Sequence, residues 1–146
     1  MKPPSQCVID ANLLMKTLIQ EDYSTDILNY VSQFGRDVDV YAPTFIFLEC
    51  ANAIRSAILR KGYAAASAVQ DLQYLQRLTI NLTSTDILVV PAMAIAAQYG
   101  ISAYDAVYTA LAVHIGLPIL TGDTRLQNNL AASGIPCIPF SSVFTA

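Results

Sequence analysis

Apolar residues along the chain fall into runs with helical spacing, and most of these runs end at a glycine. Glycine is favoured just past a helix end because it adopts the left-handed conformation without a Cβ clash. Pro91 is expected to kink its helix or to mark the true start, because proline inside a helix costs about 3 kcal/mol. The predicted helices span 12–20, 24–34, 44–61, 64–77, 86–99, 103–115 and 124–133.

Short, almost wholly apolar runs lie between these helices. They lack the clean alternation of a half-exposed strand, which is typical of parallel strands covered on both faces. The pattern therefore predicts an α/β fold of three layers, with a short parallel central sheet flanked by helices on both faces. No linker or charge block interrupts it, so we expect a single domain over 1–146. The predicted strands span 6–9, 38–41, 78–82, 119–120 and 137–139.

The composition narrows the class of protein. Hydrophobic residues make up 54% of the 146 residues and charged residues only 13%, against a usual charged share of about 25%. Intrinsic disorder is excluded by this balance. Pro91 and Gly100 interrupt the longest uncharged stretch, which argues against a membrane span. The first ten residues lack the apolar segment of a signal peptide, so we expect a cytoplasmic protein.

Cysteine and histidine offer little chemistry. Cys7, Cys50 and Cys137 lie far apart in apolar sequence, and His114 is the only histidine. This pattern argues against a zinc site and is typical of buried thiols in a reducing compartment. A Cys or Ser nucleophile would also lack a clear basic partner.

Two acidic residues follow predicted strands. Asp10 comes directly after the strand at 6–9, and Asp123 comes shortly after the strand at 119–120. The carboxyl ends of parallel strands form the edge of an open α/β sheet at which ligands bind. Each residue has a structural alternative, because either carboxylate could instead cap the helix that follows it.

Two more acidic residues stand alone in uncharged sequence. Asp105 is the only charged residue within 87–122, and Glu49 is the only one within 40–54. Asp105 lies three residues after Ser102, which is the spacing of a capping box. Glu49 is placed too deep in its predicted helix to cap it, so its structural alternative is a solvated stripe.

The four carboxylates fit one site better than four separate structural roles. Two unit charges 4 Å apart repel by about 4 kcal/mol at an effective dielectric of 20, so such a site needs protons or a divalent cation. Oxygen-only ligation suits Mg²⁺ or Mn²⁺. A Mg²⁺ ion held by a few carboxylates is typical of enzymes that act on phosphates.

At this point four segments of the chain resemble the PIN-domain family, and in particular its VapC-type toxins. The segments carry the four acids in order: Asp10 with Asn12, then Glu49, then Asp105, then Asp123. They span 8–14, 42–55, 101–112 and 117–126. Together they extend over nearly the whole chain.

The resemblance implies a Mg²⁺- or Mn²⁺-dependent endoribonuclease that hydrolyses RNA phosphodiester bonds. It also implies a cognate antitoxin protein and a homodimer. By the same resemblance, Asn12 and Thr121 would hold a carboxylate or a water beside the metal. The metal-site and catalytic carboxylates would be Asp10, Glu49, Asp105 and Asp123.

The basic residues are few for a protein that binds RNA. The net charge is −3, but setting the four site acids aside leaves 7 of the 11 acids against 8 bases. Phosphate contacts normally come from Lys and Arg, so weak non-specific affinity is expected. Arg125 is the strongest candidate for an RNA contact because it lies two residues after Asp123. Solvated surface is the alternative for each base.

An apolar stripe at helical spacing raises a question about partners. Tyr23, Ile27, Tyr30 and Phe34 recur on one helix face. The stripe predicts either core packing or a groove for a second copy or the antitoxin.

Two other functions remain open at this point. A different metal-dependent phosphatase would use similar acids, although haloacid-dehalogenase-like phosphatases place a second Asp where this chain has Asn12. A non-catalytic binding module would use all four acids as helix caps. Binding of Mn²⁺ separates the metal site from the caps, and hydrolysis of a small phosphate monoester but not RNA would favour the phosphatase.

Overall fold

The computed structural model describes all 146 residues and contains one five-stranded sheet. Every strand pairs in parallel, and the order across the sheet is β3-β2-β1-β4-β5. The parallel sheet flanked by helices is therefore confirmed. The strands are β1 (Gln6–Ile9), β2 (Asp39–Pro43), β3 (Asn81–Thr83), β4 (Ile119–Thr121) and β5 (Cys137–Pro139).

Eight α-helices and two short 3₁₀ turns connect the strands. The 3₁₀ turns, Ala65–Ser67 and Thr85–Ile87, precede the fourth and fifth helices. No helix has the length and apolar character needed to cross a bilayer. The helices are α1 (Ala11–Met15), α2 (Ser24–Val31), α3 (Ile46–Arg60), α4 (Ala68–Arg77), α5 (Val89–Tyr99), α6 (Ala103–Ile115), α7 (Thr124–Leu130) and α8 (Phe140–Val143).

The largest difference from the predicted helices is at α1, which ends at Met15 rather than near residue 20. The Thr17 hydroxyl donates to the carbonyl of Leu14 at 2.7 Å, and its backbone N–H turns to the same oxygen. Such local bonds compete with the helical pattern. Pro91 is the third residue of α5 and lies in its first turn, where a backbone N–H has no partner within the helix.

The centre of the sheet is the centre of the core. The side chains of β1 from Cys7 to Ile9 and of β4 from Ile119 to Thr121 are fully buried. The apolar stripe along α2 and the residues flanking it also packs inward, because Ile27, Tyr30 and Phe34 are buried in the same core and the partly buried Tyr23 packs against it. Core packing is thus confirmed for the stripe, and its buried residues do not form a partner groove.

The strand order places a crevice at one edge of the sheet. The chain builds outward from β1 through β2 and β3, then returns to the other side of β1 with β4 and β5. The order therefore reverses between β1 and β4. In open α/β sheets, ligands bind beside the carboxyl ends of the strands at this reversal.

Candidate metal centre

Asp10 lies at the end of β1, at the reversal of strand order. Its Oδ1 accepts a hydrogen bond from the backbone N–H of Leu13 at 3.1 Å, so the carboxylate caps α1. Its Oδ2 accepts a hydrogen bond from the Thr121 hydroxyl at 2.7 Å. Thr121 ends the neighbouring strand β4 and is fully buried. Thr121 therefore contacts a carboxylate of the predicted site directly.

Asp123 is connected to the same hydroxyl. Its backbone N–H donates to the Thr121 Oγ1 at 3.0 Å. Its own carboxylate caps α7 by accepting from the backbone N–H groups of Arg125 and Leu126 at 2.9 and 3.1 Å. Thr121 thus links both strand-end carboxylates across the crevice, and the cap roles of Asp10 and Asp123 are both present.

Between Thr121 and Asp123 stands Gly122, where the chain has no room for a side chain. A Cβ at this position would lie 2.8 Å from the Phe140 ring and 3.2 Å from the Nδ2 of Asn12. Both distances are shorter than ordinary van der Waals contact. The glycine therefore lets α8 and the start of α1 approach the crevice closely. Asn12 itself is exposed and borders two cavities on either side of α1.

Glu49 approaches the edge from α3. Because α3 begins at Ile46, two residues later than predicted, Glu49 lies in its first turn rather than deep inside. Its carboxylate does not bond to the helix backbone but accepts a 2.5 Å hydrogen bond from the hydroxyl of Tyr108. Tyr108 is buried on α6, three residues after Asp105, and its ring packs 5.3 Å from the Phe45 ring. The position of Glu49 is therefore fixed from a second helix.

Asp105 lies in the first turn of α6, and its backbone N–H donates to the Ser102 Oγ at 3.1 Å. This is half of a capping box, because no hydrogen bond from the backbone N–H of Ser102 to the carboxylate of Asp105 accompanies it. The half-buried carboxylate instead borders a cavity of about 130 Å³ together with Arg125. Arg125 is exposed, and its guanidinium charge partly opposes the rise that burial causes in the pKa of Asp105.

The charges at this edge influence one another. Burial raises the pKa of Asp10 to about 6, and the charges of Asp123 and Asp105 add to that rise, although the Thr121 hydrogen bond opposes it. Burial also raises the pKa of Glu49, with Asp10 and Asp105 contributing. The pKa of Asp105 is raised by burial and then by Asp123. Four acids placed on separate elements therefore form one electrostatically coupled group.

The donor chemistry of this group suits a hard divalent cation, but the side chains are not gathered around one point. No three His, Cys, Asp or Glu side chains lie close enough together to hold an ion. Asp10 and Asp123 keep their capping bonds in this arrangement. Mg²⁺ is commonly held through only one or two carboxylates and keeps several waters. The residues present therefore fit Mg²⁺ or Mn²⁺ in that mode and do not fit a closed all-protein cage.

Tyr108 contributes to the site through its bond to Glu49, a role that the sequence does not predict. Tyr108 lies within the segment 101–112 that carries Asp105, but nothing in the pattern predicted a bond from its hydroxyl to α3. The available signal was its spacing: it lies one turn after Asp105 on the same helix face. A tyrosine so placed is more easily interpreted as a core aromatic, and its ring is indeed buried.

Comparisons with known proteins identify the family to which the chain is similar. The PIN domain family model matches residues 7–131. Ribonuclease VapC1 of Mycobacterium tuberculosis is 29% identical over 132 residues, covering 90% of this chain and 94% of that protein.

Solved structures show the same fold. A crystal structure of PAE2754 from Pyrobaculum aerophilum aligns with a TM-score of 0.64 at 19% identity, covering 90% of this chain and 83% of that one. A toxin–antitoxin complex from Klebsiella pneumoniae aligns with a TM-score of 0.61 at 17% identity, covering 90% of this chain and 95% of that one.

Proposed function

The chain belongs to the PIN domain family, and we propose that it is a Mg²⁺- or Mn²⁺-dependent endoribonuclease that acts as the toxin of a VapBC-type toxin–antitoxin pair. The observation that carries this proposal is the coupled group of Asp10, Glu49, Asp105 and Asp123 at the reversal of strand order. The similarity to ribonuclease VapC1 supports RNA as the substrate.

The acids of the chain would share the work of hydrolysis. A bound divalent ion supplies charge stabilisation for the phosphate in the transition state and activates water. Asp10 and Asp123 lie nearest the crevice and would hold the ion, with Thr121 orienting the carboxylate of Asp10. Glu49 and Asp105 have raised pKa values, which suits a group that accepts the proton of the attacking water.

Arg125 would contact the RNA backbone beside this group. It is exposed at the start of α7 and borders the same cavity as Asp105. A guanidinium next to the acids offsets their repulsion toward a phosphate and can bind it through two donors.

Two partners follow from the same comparison and from the surface. We propose a cognate antitoxin protein because similar structures include toxin–antitoxin complexes. We also propose a homodimer, since Val89, Met93 and Tyr104 are 51%, 61% and 68% exposed and line an apolar groove of about 230 Å³ on α5 and α6. Exposed apolar patches of this kind mark interfaces. Sedimentation showing a monomer at all concentrations would contradict the dimer.

Cleavage of a labelled RNA by the purified chain tests the activity. We expect cleavage with Mg²⁺ or Mn²⁺, none with a chelator, and none by an Asp10→Asn variant that remains folded. An Asp22→Asn variant is the matched control, because Asp22 is exposed and takes part in no ion pair. Cleavage by Asp10→Asn at the control's rate would overturn the proposal, and hydrolysis of a phosphate monoester without RNA cleavage would replace it with a phosphatase.

A further inference from the structure

A groove of about 330 Å³ leads away from the candidate metal centre between α1 and α3. At one end it is lined by Asn12 and Glu49, and at the other by Glu21 and Lys61. Small residues of α3, including Ala53 and Ala57, line it between these ends. The metal centre and the far end of the groove thus share one continuous surface.

The far end holds the only two ion pairs in the molecule, and both meet at one carboxylate. Lys16 Nζ lies 2.7 Å from Glu21 Oε2, and Lys61 Nζ lies 3.0 Å from Glu21 Oε1. The Lys16 side chain is 13% exposed and that of Lys61 is 60% exposed. The two hydrogen bonds hold the pKa of Glu21 below its usual range.

One carboxylate between two ammonium groups leaves a local excess of positive charge. In a chain with only 8 Lys and Arg residues, two of them are therefore held in place beside the groove that begins at Glu49. The Glu21 carboxylate lies between two ammonium groups, and the same position would suit another singly charged oxyanion. A backbone phosphate of a nucleic acid strand has that charge and the oxygen acceptors to replace it.

We propose that Lys16 and Lys61 bind a backbone phosphate of the RNA strand outside the scissile position, and that Glu21 holds the two lysines until the phosphate displaces it. This inference rests on the proposed ribonuclease function and extends it to a second site on the substrate. The lysines act in binding and not in the chemical step.

The dimensions of α3 agree with this division of roles. At 1.5 Å per residue, the helix rises about 18 Å from Glu49 to Lys61. A phosphate at the metal centre is therefore too far away to reach Lys61. A substrate of only two nucleotides should gain nothing from the lysines, whereas a longer strand laid along the groove should.

The test compares charge changes at the groove with equal changes elsewhere. Lys61→Gln removes the exposed lysine, and Arg36→Gln is its control because Arg36 precedes the amino end of β2, opposite the metal centre. Glu21→Gln removes the bridging carboxylate, and Asp22→Asn is its control next in sequence. RNA affinity is measured over a range of salt by fluorescence anisotropy in the Asp10→Asn background, and cleavage is measured with Asp10 intact.

We expect Lys61→Gln to weaken binding of a long RNA several-fold and to lower the magnitude of the log K against log salt slope by about 0.7, the value for one phosphate contact on a single strand. We expect KM for that RNA to rise while kcat stays unchanged, and cleavage of a dinucleotide to stay unchanged. Glu21→Gln should tighten binding more than Asp22→Asn does.

Two outcomes would overturn the inference. If RNA is bound and cleaved but Lys61→Gln behaves like Arg36→Gln, the groove does not bind RNA. If Lys61→Gln weakens only a protein partner, the groove is a protein interface. Failure of the unmodified chain to bind or cleave any RNA would instead overturn the proposed function, and the inference with it.

Discussion

Replacing Thr121 by valine should destabilise the metal-free protein more at high pH than at low pH. The substitution keeps the β-branched shape in β4 but removes the hydroxyl that donates to Asp10 at 2.7 Å and accepts from the Asp123 N–H at 3.0 Å. Thr121 is fully buried, so no water replaces the lost donor without rearrangement.

The magnitude follows from the ionisation of Asp10. At about pH 8 Asp10 is ionised, since its pKa is about 6, and a hydrogen bond to a charged group contributes about 1.5–3 kcal/mol. The loss has a ceiling near 3 kcal/mol, because protonating a group with a pKa about two units below the pH costs about that much. At about pH 5 Asp10 is mostly protonated, and the loss should shrink to about 1 kcal/mol.

Urea denaturation in a chelator at the two pH values measures both losses. Thr109→Val is the matched control, because Thr109 is fully buried and its hydroxyl donates to the neutral backbone carbonyl of Asp105 at 3.0 Å. The control should lose about 1 kcal/mol at both pH values. Equal losses for Thr121→Val at the two pH values would refute a charge-assisted bond to Asp10.

Two further substitutions test the electrostatics of the same edge. Because burial raises the folded-state pKa of Asp10 from 3.8 to about 6, its ionisation opposes folding above pH 4 and increasingly so up to pH 6. Metal-free protein should therefore gain about 3 kcal/mol of stability over the whole titration down to pH 4 and below, of which about 1.3 kcal/mol falls between about pH 7 and about pH 5. Asp10→Asn, which keeps a good helix cap, should remove most of that gain in urea titrations, and an undiminished gain would assign it to other groups. Tyr108→Phe keeps the ring beside Phe45 but removes the hydroxyl that donates to Glu49, so the free energy of unfolding should fall by about 1.5–3 kcal/mol at about pH 8. Tyr104→Phe is the control, because it alters an exposed residue and should leave the free energy of unfolding almost unchanged. Equal losses for the two variants would contradict the role of the Tyr108 hydroxyl.

The sheet was predictable because its signals are local. The strands at 6–9 and 137–139 match β1 and β5 to the residue, since parallel strands covered by helices form short apolar runs bounded by turn residues. Asp10 and Asp123 could be placed at one edge for the same reason. α8 was missed because four residues are too few to show a helical period.

The hydrogen bonds that organise the site could not be predicted from the sequence pattern. The hydroxyl of Tyr108 reaches Glu49 across 59 positions of sequence, and that of Thr121 reaches Asp10 across 111. Neither hydrogen bond produces a periodic pattern in the sequence. The sequence also could not decide between caps and metal ligands, because Asp10 and Asp123 make their capping bonds and still lie at the reversal of strand order.

Titration of the metal-free protein with Mn²⁺ by calorimetry tests most directly whether the four carboxylates act together as a metal site. We predict saturable Mn²⁺ binding that Asp10→Asn abolishes or greatly weakens and that Asp22→Asn leaves unchanged. Absence of Mn²⁺ binding, or equal binding by Asp10→Asn, would contradict the metal site and leave Asp10 and Asp123 as helix caps alone.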